Sequence, residues 1–188
     1  MIKWGKLNYS FLIISLIVIG FILGEIEYLI NPYYLLYSEQ FNYLVFHGFF
    51  YEVITSIFVT NSFADFAFNS ISMYVIYLLF RNKAGRLELL VFLAGGIIGN
   101  VFSLFFYPLI TLSAGASGGI FAILSFYVFY DFVKERELGI YGLLYLLVVF
   151  LLSDVFLSNV DVAAHIGGIL SGITIAGGIS LKSKSGKY

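Results

Sequence analysis

The sequence predicts an all-α fold, a polytopic membrane protein with six transmembrane helices. Of its 188 residues, 61% are hydrophobic and 11% are charged, and a chain of this composition cannot leave its apolar surface in water. Its apolar runs approach the roughly 20 residues that cross a bilayer as a helix. Its ten Lys and Arg residues fall into four clusters between these runs, which is typical of cytoplasmic ends and loops.

Six apolar segments are predicted to span the membrane once tilt is allowed. They cover residues 9–28, 66–80, 87–107, 117–133, 138–152 and 162–181. The first has no small-residue cleavage site after it, so we interpret it as a true span and not as a signal peptide. We expect residues 1–181 to form a single domain and residues 182–188 to form a short basic cytoplasmic tail.

The charges orient these spans. The basic residues lie before span one and after spans two, four and six: Lys3, Lys6, Arg81, Lys83, Arg86, Lys134, Arg136, Lys182, Lys184 and Lys187. The segments after spans one, three and five carry acidic residues instead, among them Glu39, Glu52, Asp154 and Asp161. Because basic residues are retained in the cytoplasm, both termini are predicted there, and spans two, four and six present their N-termini at the outer face.

The longest connection, residues 31–65, is rich in Tyr and Phe but holds no apolar run long enough to span. We predict that this first loop lies partly in the membrane interface, and that its His47 is structural or interfacial. The absence of cysteine excludes disulfides and zinc–thiolate sites. A net charge of −1 argues against a nucleic-acid partner. The sequence implies no cofactor and no metal.

Three polar residues are predicted to meet at the outer ends of the spans. Asn69, Ser117 and His165 each fall in the first turns of a helix that begins at the outer face. The unpaired N–H groups of such turns favour an anion, including the oxyanion of acyl transfer. We expect neutral His165 to take the Ser117 proton, while Asn69 and the Ser117 backbone bind the oxyanion.

Small residues predict that the histidine and serine helices touch. His165, Gly168 and Gly172 lie at i, i+3 and i+7, on one face of span six. The four-residue spacing recurs on the neighbouring spans, at Gly118 and Ala122 and at Gly95 and Gly99. Such spacing allows close helix packing in membranes.

Together these motifs resemble those of the rhomboid family of intramembrane serine proteases. The motifs are Asn69 in span two, Gly115-Ala116-Ser117-Gly118 opening span four, and Ala164-His165 with Gly168 and Gly172 in span six. The span count, the aromatic loop and the orientation also match, so the resemblance covers nearly the whole chain. It implies a catalytic dyad, with Ser117 as nucleophile and His165 as base. It also implies cleavage of single-span or polytopic membrane proteins near the outer face of a prokaryotic membrane.

The resemblance implies supporting residues and shows departures. Gly115 would give room to the oxyanion loop, and Phe121 would stack on His165 where the family usually has Tyr. Asp65 stands where the family has a histidine, so it is either protonated, or turned away as the N-cap of span two, or a cause of reduced activity. A second family histidine is replaced by Thr60, and the usual Trp-Arg pair of the loop by Tyr51-Glu52.

Alternatives remain open from the sequence. Each motif alone has a structural explanation: Gly-x-Ser-Gly as helix packing, Asn69 as interhelical glue, and Asp161 as an N-cap instead of a partner for the imidazole. A catalytically silent relative that binds membrane proteins without cutting them is the main rival. A small transporter is a third possibility, although it would need ionisable residues along a path through the bilayer.

Overall fold

The computed structural model describes the backbone of residues 7–156 and 160–185, and the side chains of these except 154–156 and 182–185. Several charged groups used to predict the topology therefore lie outside the described residues or side chains: Lys3, Lys6, Asp154, Lys182, Lys184 and Lys187. The helices in chain order are α1 (Tyr9–Ile30), α2 (Leu35–Ser38), α3 (Asn42–Phe46), α4 (Glu52–Thr55), α5 (Phe63–Phe80), α6 (Arg86–Ser103), α7 (Ser117–Tyr130), α8 (Ile140–Phe156) and α9 (Val162–Ser185).

The predicted all-α membrane fold is confirmed. Five of the described helices are long and apolar enough to cross a membrane. They are α1, α5, α6, α9 and α7, the last together with the π-helical turn Asp131–Glu135. Helix α8 is apolar but shorter, and its 17 residues extend about 25 Å. Helix α9 continues to Ser185, four residues into the segment predicted as a tail.

Helix α5 begins three residues before its predicted start. The Ser62 side chain caps it by accepting a hydrogen bond from the Asp65 N–H at 3.3 Å, which satisfies one of the donors left free in the first turn. Asp65 is therefore the third residue of the helix and not its N-cap, so that interpretation was wrong. The cap places the Asp65 side chain one turn before Asn69.

Helix α7 is the centre of the bundle, with every residue from Gly118 to Val128 buried. Glycines bring its neighbours close. A Cβ at Gly168 of α9 would overlap the Gly118 carbonyl oxygen, and one at Gly95 of α6 would overlap the Ala122 side chain. The packing predicted from the small-residue spacing is confirmed, and it sets α9 directly against α7.

The first loop is packed against α6 through buried polar groups. The Asn100 side-chain amide donates hydrogen bonds to the Val53 carbonyl oxygen and to Ser56 Oγ, each at 2.9 Å. Glu52, fully buried, accepts a hydrogen bond from the Phe41 N–H at 2.9 Å. Glu52 thus anchors the loop at the position where the family usually has an arginine.

Two short strands tie this loop to the connection between α6 and α7. Strand β1 (Gln40–Phe41) pairs antiparallel with β2 (Leu112–Ser113), with Gln40 opposite Ser113. His47 lies in the same loop and stacks on Tyr43, with ring centroids 4.1 Å apart. The loop also exposes aromatic rings, among them Tyr33, Phe46 and Phe50, which suit a membrane interface.

The two ends of the bundle differ in charge. At one end, Lys83 between α5 and α6 pairs with Glu135 at 2.6 Å, and Phe80 stacks on Tyr127. The basic side chains that the structure describes belong to this end, in the segments that follow α5 and α7 and at the first residue of α6: Arg81, Lys83, Arg86, Lys134 and Arg136. The N-terminal ends of α5, α7 and α9 meet at the other end, around a polar cavity.

Candidate active site

Ser117 and His165 lie side by side. Ser117 is the first residue of α7, and His165 lies in the first turn of α9. The glycine contacts between these helices bring Ser117 Oγ to 2.8 Å from His165 Nε2, within hydrogen-bonding distance. His165 is 1% exposed. A neutral imidazole at this distance from a hydroxyl can accept its proton.

The pair opens into a cavity of about 230 Å³. Its wall is formed by the first turns of α5, α7 and α9, the strand β2 and the residues before α5. The lining residues are Glu39, Thr60, Asn61, Ser62, Ala64, Asp65, Leu112, Ser113, Ala114, Ser117, Val160, Asp161 and His165. Most of these lining residues are polar.

Asp161 holds the start of the histidine helix. Its Oδ1 accepts a hydrogen bond from the Ala164 N–H at 2.8 Å, and its Oδ2 accepts one from the Ser103 hydroxyl at 2.5 Å. The His165 N–H donates to the Asp161 carbonyl oxygen at 3.1 Å. Asp161 is therefore the N-cap of α9, and both of its carboxyl oxygens are engaged.

Two aromatic rings pack around the imidazole. The Phe121 ring lies 4.5 Å from the His165 ring, centroid to centroid, at an interplanar angle of 44°. Phe150 of α8 makes an edge contact with Phe121 at 5.8 Å and with His165 at 6.3 Å. The sequence indicated Phe121 but not Phe150, because α8 carries a continuous apolar run that does not distinguish one ring from another.

The two groups predicted to bind an oxyanion, the Ser117 N–H and Asn69, differ in their access to the cavity. Ser117 N–H belongs to the first turn of α7, where helix donors lack intrahelical acceptors. Asn69 is 1% exposed, and its Nδ2 has no hydrogen-bond partner among the described residues. The cavity wall that the structure describes includes Asp65 but not Asn69.

Gly115 gives the loop before α7 its shape. Its φ of +120° is open to glycine and rarely to other residues. Its own N–H donates to the Ser56 carbonyl oxygen at 2.8 Å, so this group is occupied in the structure. A Cβ at this position would lie 2.7 Å from Asp65 Oδ2, and the missing side chain is thus what admits the carboxyl group.

Asp65 consequently lies against the loop that carries the serine. Its Oδ2 is buried and has no hydrogen-bond partner within the described part of the chain. The Thr60 and Asn69 side chains are its polar neighbours. Asp65 occupies the wall of the cavity where the resemblance places a histidine.

Glu39 is a cavity residue that the sequence did not single out. It follows α2, lines the cavity and is 5% exposed. Burial, together with the nearby carboxylates of Glu27 and Asp65, raises the pKa of Glu39 to about 7. Acidic residues of the loop were used only to orient the spans, and no local spacing connects Glu39 to Ser117.

A cluster of acidic residues at the opposite end has a structural explanation. Asp131, Glu135 and Glu137 bring carboxyl oxygens within 4.8 Å of one another. Asp131 already accepts hydrogen bonds from the N–H groups of Leu138 and Gly139 ahead of α8, at 3.1 and 2.9 Å. It caps the connection to α8, and nothing in the cluster requires a metal ion.

The fold and the site together define a class, that of helical membrane proteins with a serine–histidine pair at a polar cavity at one end of the bundle. Residues 47–182 match the family model described as the rhomboid domain. The chain belongs to the rhomboid family.

Two relatives come from Bacillus subtilis (strain 168). Rhomboid protease GluP is 28% identical over 196 residues, which cover 98% of this chain and 37% of GluP. The rhomboid relative YdcA is 29% identical over 140 residues, covering 72% of this chain and 70% of YdcA. The chain therefore spans little more than a third of the length of GluP.

Proposed function

We propose that this chain is a serine endopeptidase that cleaves transmembrane protein substrates within the bilayer. The observation that carries the proposal is the 2.8 Å distance between Ser117 Oγ and His165 Nε2 at the wall of a polar cavity. Membership of the rhomboid family and the name of the relative GluP support it.

In the proposed reaction, Ser117 Oγ attacks the scissile carbonyl carbon as its proton passes to His165 Nε2. The carbonyl oxygen becomes an oxyanion beside the Ser117 N–H, with Asn69 Nδ2 as a second donor. Collapse of this intermediate breaks the C–N bond, and the imidazolium gives its proton to the leaving amine. Water then attacks the acyl-enzyme with His165 again as base, which releases the acid product and restores Ser117.

The charge pattern supports cleavage near the outer face. The cavity lies at the end of the bundle opposite the described basic side chains, and basic ends are retained in the cytoplasm. On this proposal the cavity opens to the outer side of the membrane and both termini are cytoplasmic. A substrate helix would have to unwind near its outer end, because an intact helix uses its carbonyl groups internally.

The first experiment is labelling of the detergent-solubilised protein with a fluorophosphonate probe. We expect the wild type to be labelled, and Ser117→Ala and His165→Ala to lose labelling, because the probe needs an activated serine. Absence of labelling in folded wild type, or labelling that survives Ser117→Ala, would contradict the proposal.

The position of Asp65 favours a second candidate function, a relative that binds membrane proteins without cutting them. An ionised carboxylate against the serine loop would oppose an oxyanion. On this alternative, wild-type protein binds a transmembrane segment but remains unlabelled by the probe. The same labelling experiment therefore separates the two functions.

A further inference from the structure

Three carboxyl groups line the cavity, Glu39, Asp65 and Asp161, and the fold gives polar partners to two of them. Asp161 uses both oxygens to hold α9. Glu39 Oε1 is buried and has no hydrogen-bond partner among the described residues, whereas Asp65 has the Thr60 and Asn69 side chains as polar partners. Buried acceptors in native proteins nearly always have donors, so Glu39 calls for an explanation.

The fold holds Glu39 at the cavity. Its N–H donates to the Leu35 carbonyl oxygen at 2.9 Å, at the end of α2. The next residue, Gln40, pairs with Ser113 across the two strands. With backbone fixed on both sides and the side chain 95% buried, Glu39 is a built part of the wall and not a flexible surface group.

The cavity wall has more acidic than basic groups. Among its described lining residues, His165 is the one basic group, and the proposed mechanism needs it neutral. Glu27 on α1, hydrogen-bonded to the Ser38 hydroxyl at 2.5 Å, adds a further carboxylate near Glu39. A cation that entered the cavity would be attracted by these groups in a medium of low dielectric constant.

We propose that Glu39 and Asp65 form a subsite for a cationic side chain, Lys or Arg, of the substrate beside the scissile bond. This inference rests on the proposed protease function and names its substrate class. The cation donates hydrogen bonds to the two carboxyl groups. It also offsets the negative charge that opposes the oxyanion at Ser117, so the substrate supplies a charge that the described cavity wall lacks.

The volume of the site fits one side chain better than a small-molecule ligand, and its few carboxyl groups fit a side chain better than a metal ion. A volume of about 230 Å³ lies below the roughly 300–1,000 Å³ of small-molecule sites. Calcium takes about six to eight oxygen ligands. Among the described residues, three acidic groups converge within 4.8 Å only at Asp131, Glu135 and Glu137, at the opposite end of the bundle.

Binding can be tested without catalysis in a Ser117→Ala background. A fluorescent transmembrane peptide with small residues at its outer end carries Lys, Gln or Glu at each position of that end in turn. We expect the best Lys peptide to bind at least about tenfold more tightly than its Gln counterpart, with EDTA present. Adding Glu39→Gln should reduce this ratio to near one. Glu25→Gln, which removes a carboxylate of α1 outside the cavity wall, should leave the ratio unchanged.

Equal affinities for Lys and Gln at every position would overturn the subsite, as would a Lys preference that survives Glu39→Gln. Failure of every peptide to bind would overturn it too, and a preference that requires a divalent ion would assign the carboxylates to a metal. Fluorophosphonate labelling of wild-type Ser117 is measured separately. A reactive serine with no cation preference would remove this inference alone, whereas a cation preference with an unreactive serine would remove the protease proposal.

Discussion

The carboxyl group of Asp65 lies against the loop that carries Ser117, close enough that a Cβ on Gly115 would be 2.7 Å from it. If this is the oxyanion pocket, Asp65→His should maintain the rate of peptide cleavage or raise it by about an order of magnitude. The reason is that a donor replaces a group that repels the developing charge, and in serine proteases one such donor contributes a factor of about 10²–10³ to kcat.

Initial rates of cleavage of a neutral transmembrane peptide measure this effect. Asp65→Asn serves as the matched variant, since it removes the charge and keeps the shape. A large loss of activity in both variants would show that the carboxylate has a positive role, and the placement of the oxyanion beside Asp65 would be wrong.

Phe121 tests whether packing orients the imidazole. Phe121→Ala removes a ring that is 2% exposed and 4.5 Å from the His165 ring. We expect kcat to fall about tenfold with little change in KM, because a misdirected base slows proton transfer more than substrate binding. Phe121→Tyr, which keeps the ring, should retain most activity. Unchanged turnover in Phe121→Ala would reject this role.

Residue identities at the site were readable from the sequence only where they formed motifs. Ser117, His165 and Asn69 could be proposed because each is a polar residue within a run of small or apolar residues near the start of a predicted span. Glu39 and Phe150 could not be proposed from the sequence, because their positions depend on contacts between separate segments of the chain. The strand pair that follows Glu39, for example, joins segments more than 70 residues apart. Long-range pairing of this kind leaves no local spacing to detect.

At the scale of helices, the contact between α7 and α9 depends on missing side chains. Gly168→Ala would place a Cβ on the Gly118 carbonyl oxygen, which should destabilise the protein by about 1–3 kcal/mol and reduce probe labelling of Ser117. Gly178→Ala is the control, because a Cβ there meets no atom of the described chain within 4 Å.

Thermal unfolding in detergent and labelling rate are measured together on both glycine variants. Equal unfolding temperatures for Gly168→Ala and Gly178→Ala would show that the two helices can separate without cost. The close packing would then not be what places the serine beside the histidine.

The helices themselves were largely predictable, and the connections were not. Apolar length and charge clusters located the five helices long enough to span a membrane and the shorter α8, and small-residue spacing predicted the contact between α7 and α9. The start of α5 was missed by three residues, although Ser62 with Asp65 three positions later is a recognisable capping signal. The strand pair, two residues on each side, is too short to show alternation.

At the scale of the molecule, the charge asymmetry predicts how the bundle sits in a cell membrane. The chain has no cysteine, so single cysteines report without background. Ile110→Cys, at an exposed site in the connection that leads to β2, should react with an impermeant maleimide on intact cells. Glu137→Cys, at the basic end, should react only after permeabilisation. The reverse pattern would invert the proposed topology.

The stability of the whole molecule should depend on pH through Glu39. Folding raises the pKa of Glu39 from 4.5 to about 7, so between these values the native state holds a proton that the unfolded chain has lost. Stability therefore falls as pH rises from about 4.5 to about 7 and then levels off. Glu39→Gln should remove this decline. The Tm of the variant should therefore rise relative to that of wild type between about pH 5 and pH 8.

Unfolding temperatures of wild type, Glu39→Gln and Glu25→Gln across this range provide the measurement. The Glu25→Gln curve should run parallel to wild type, because Glu25 is not among the groups that act on Glu39. Parallel curves for all three proteins would mean that Glu39 is not held in a protonated state by the fold.

The burial of α7 has a consequence for how the protein responds to different membranes. Helices α1 and α5 face outward: 28% and 22% of the residues in their apolar stretches are buried inside the fold. For α7 with its π-helical turn the share is 67%. A change in bilayer thickness acts on helices in contact with acyl chains, which tilt or shift in response. Shielded by its neighbours, α7 keeps Ser117 at a depth set by the surrounding helices, and lipid length reaches the serine only through them.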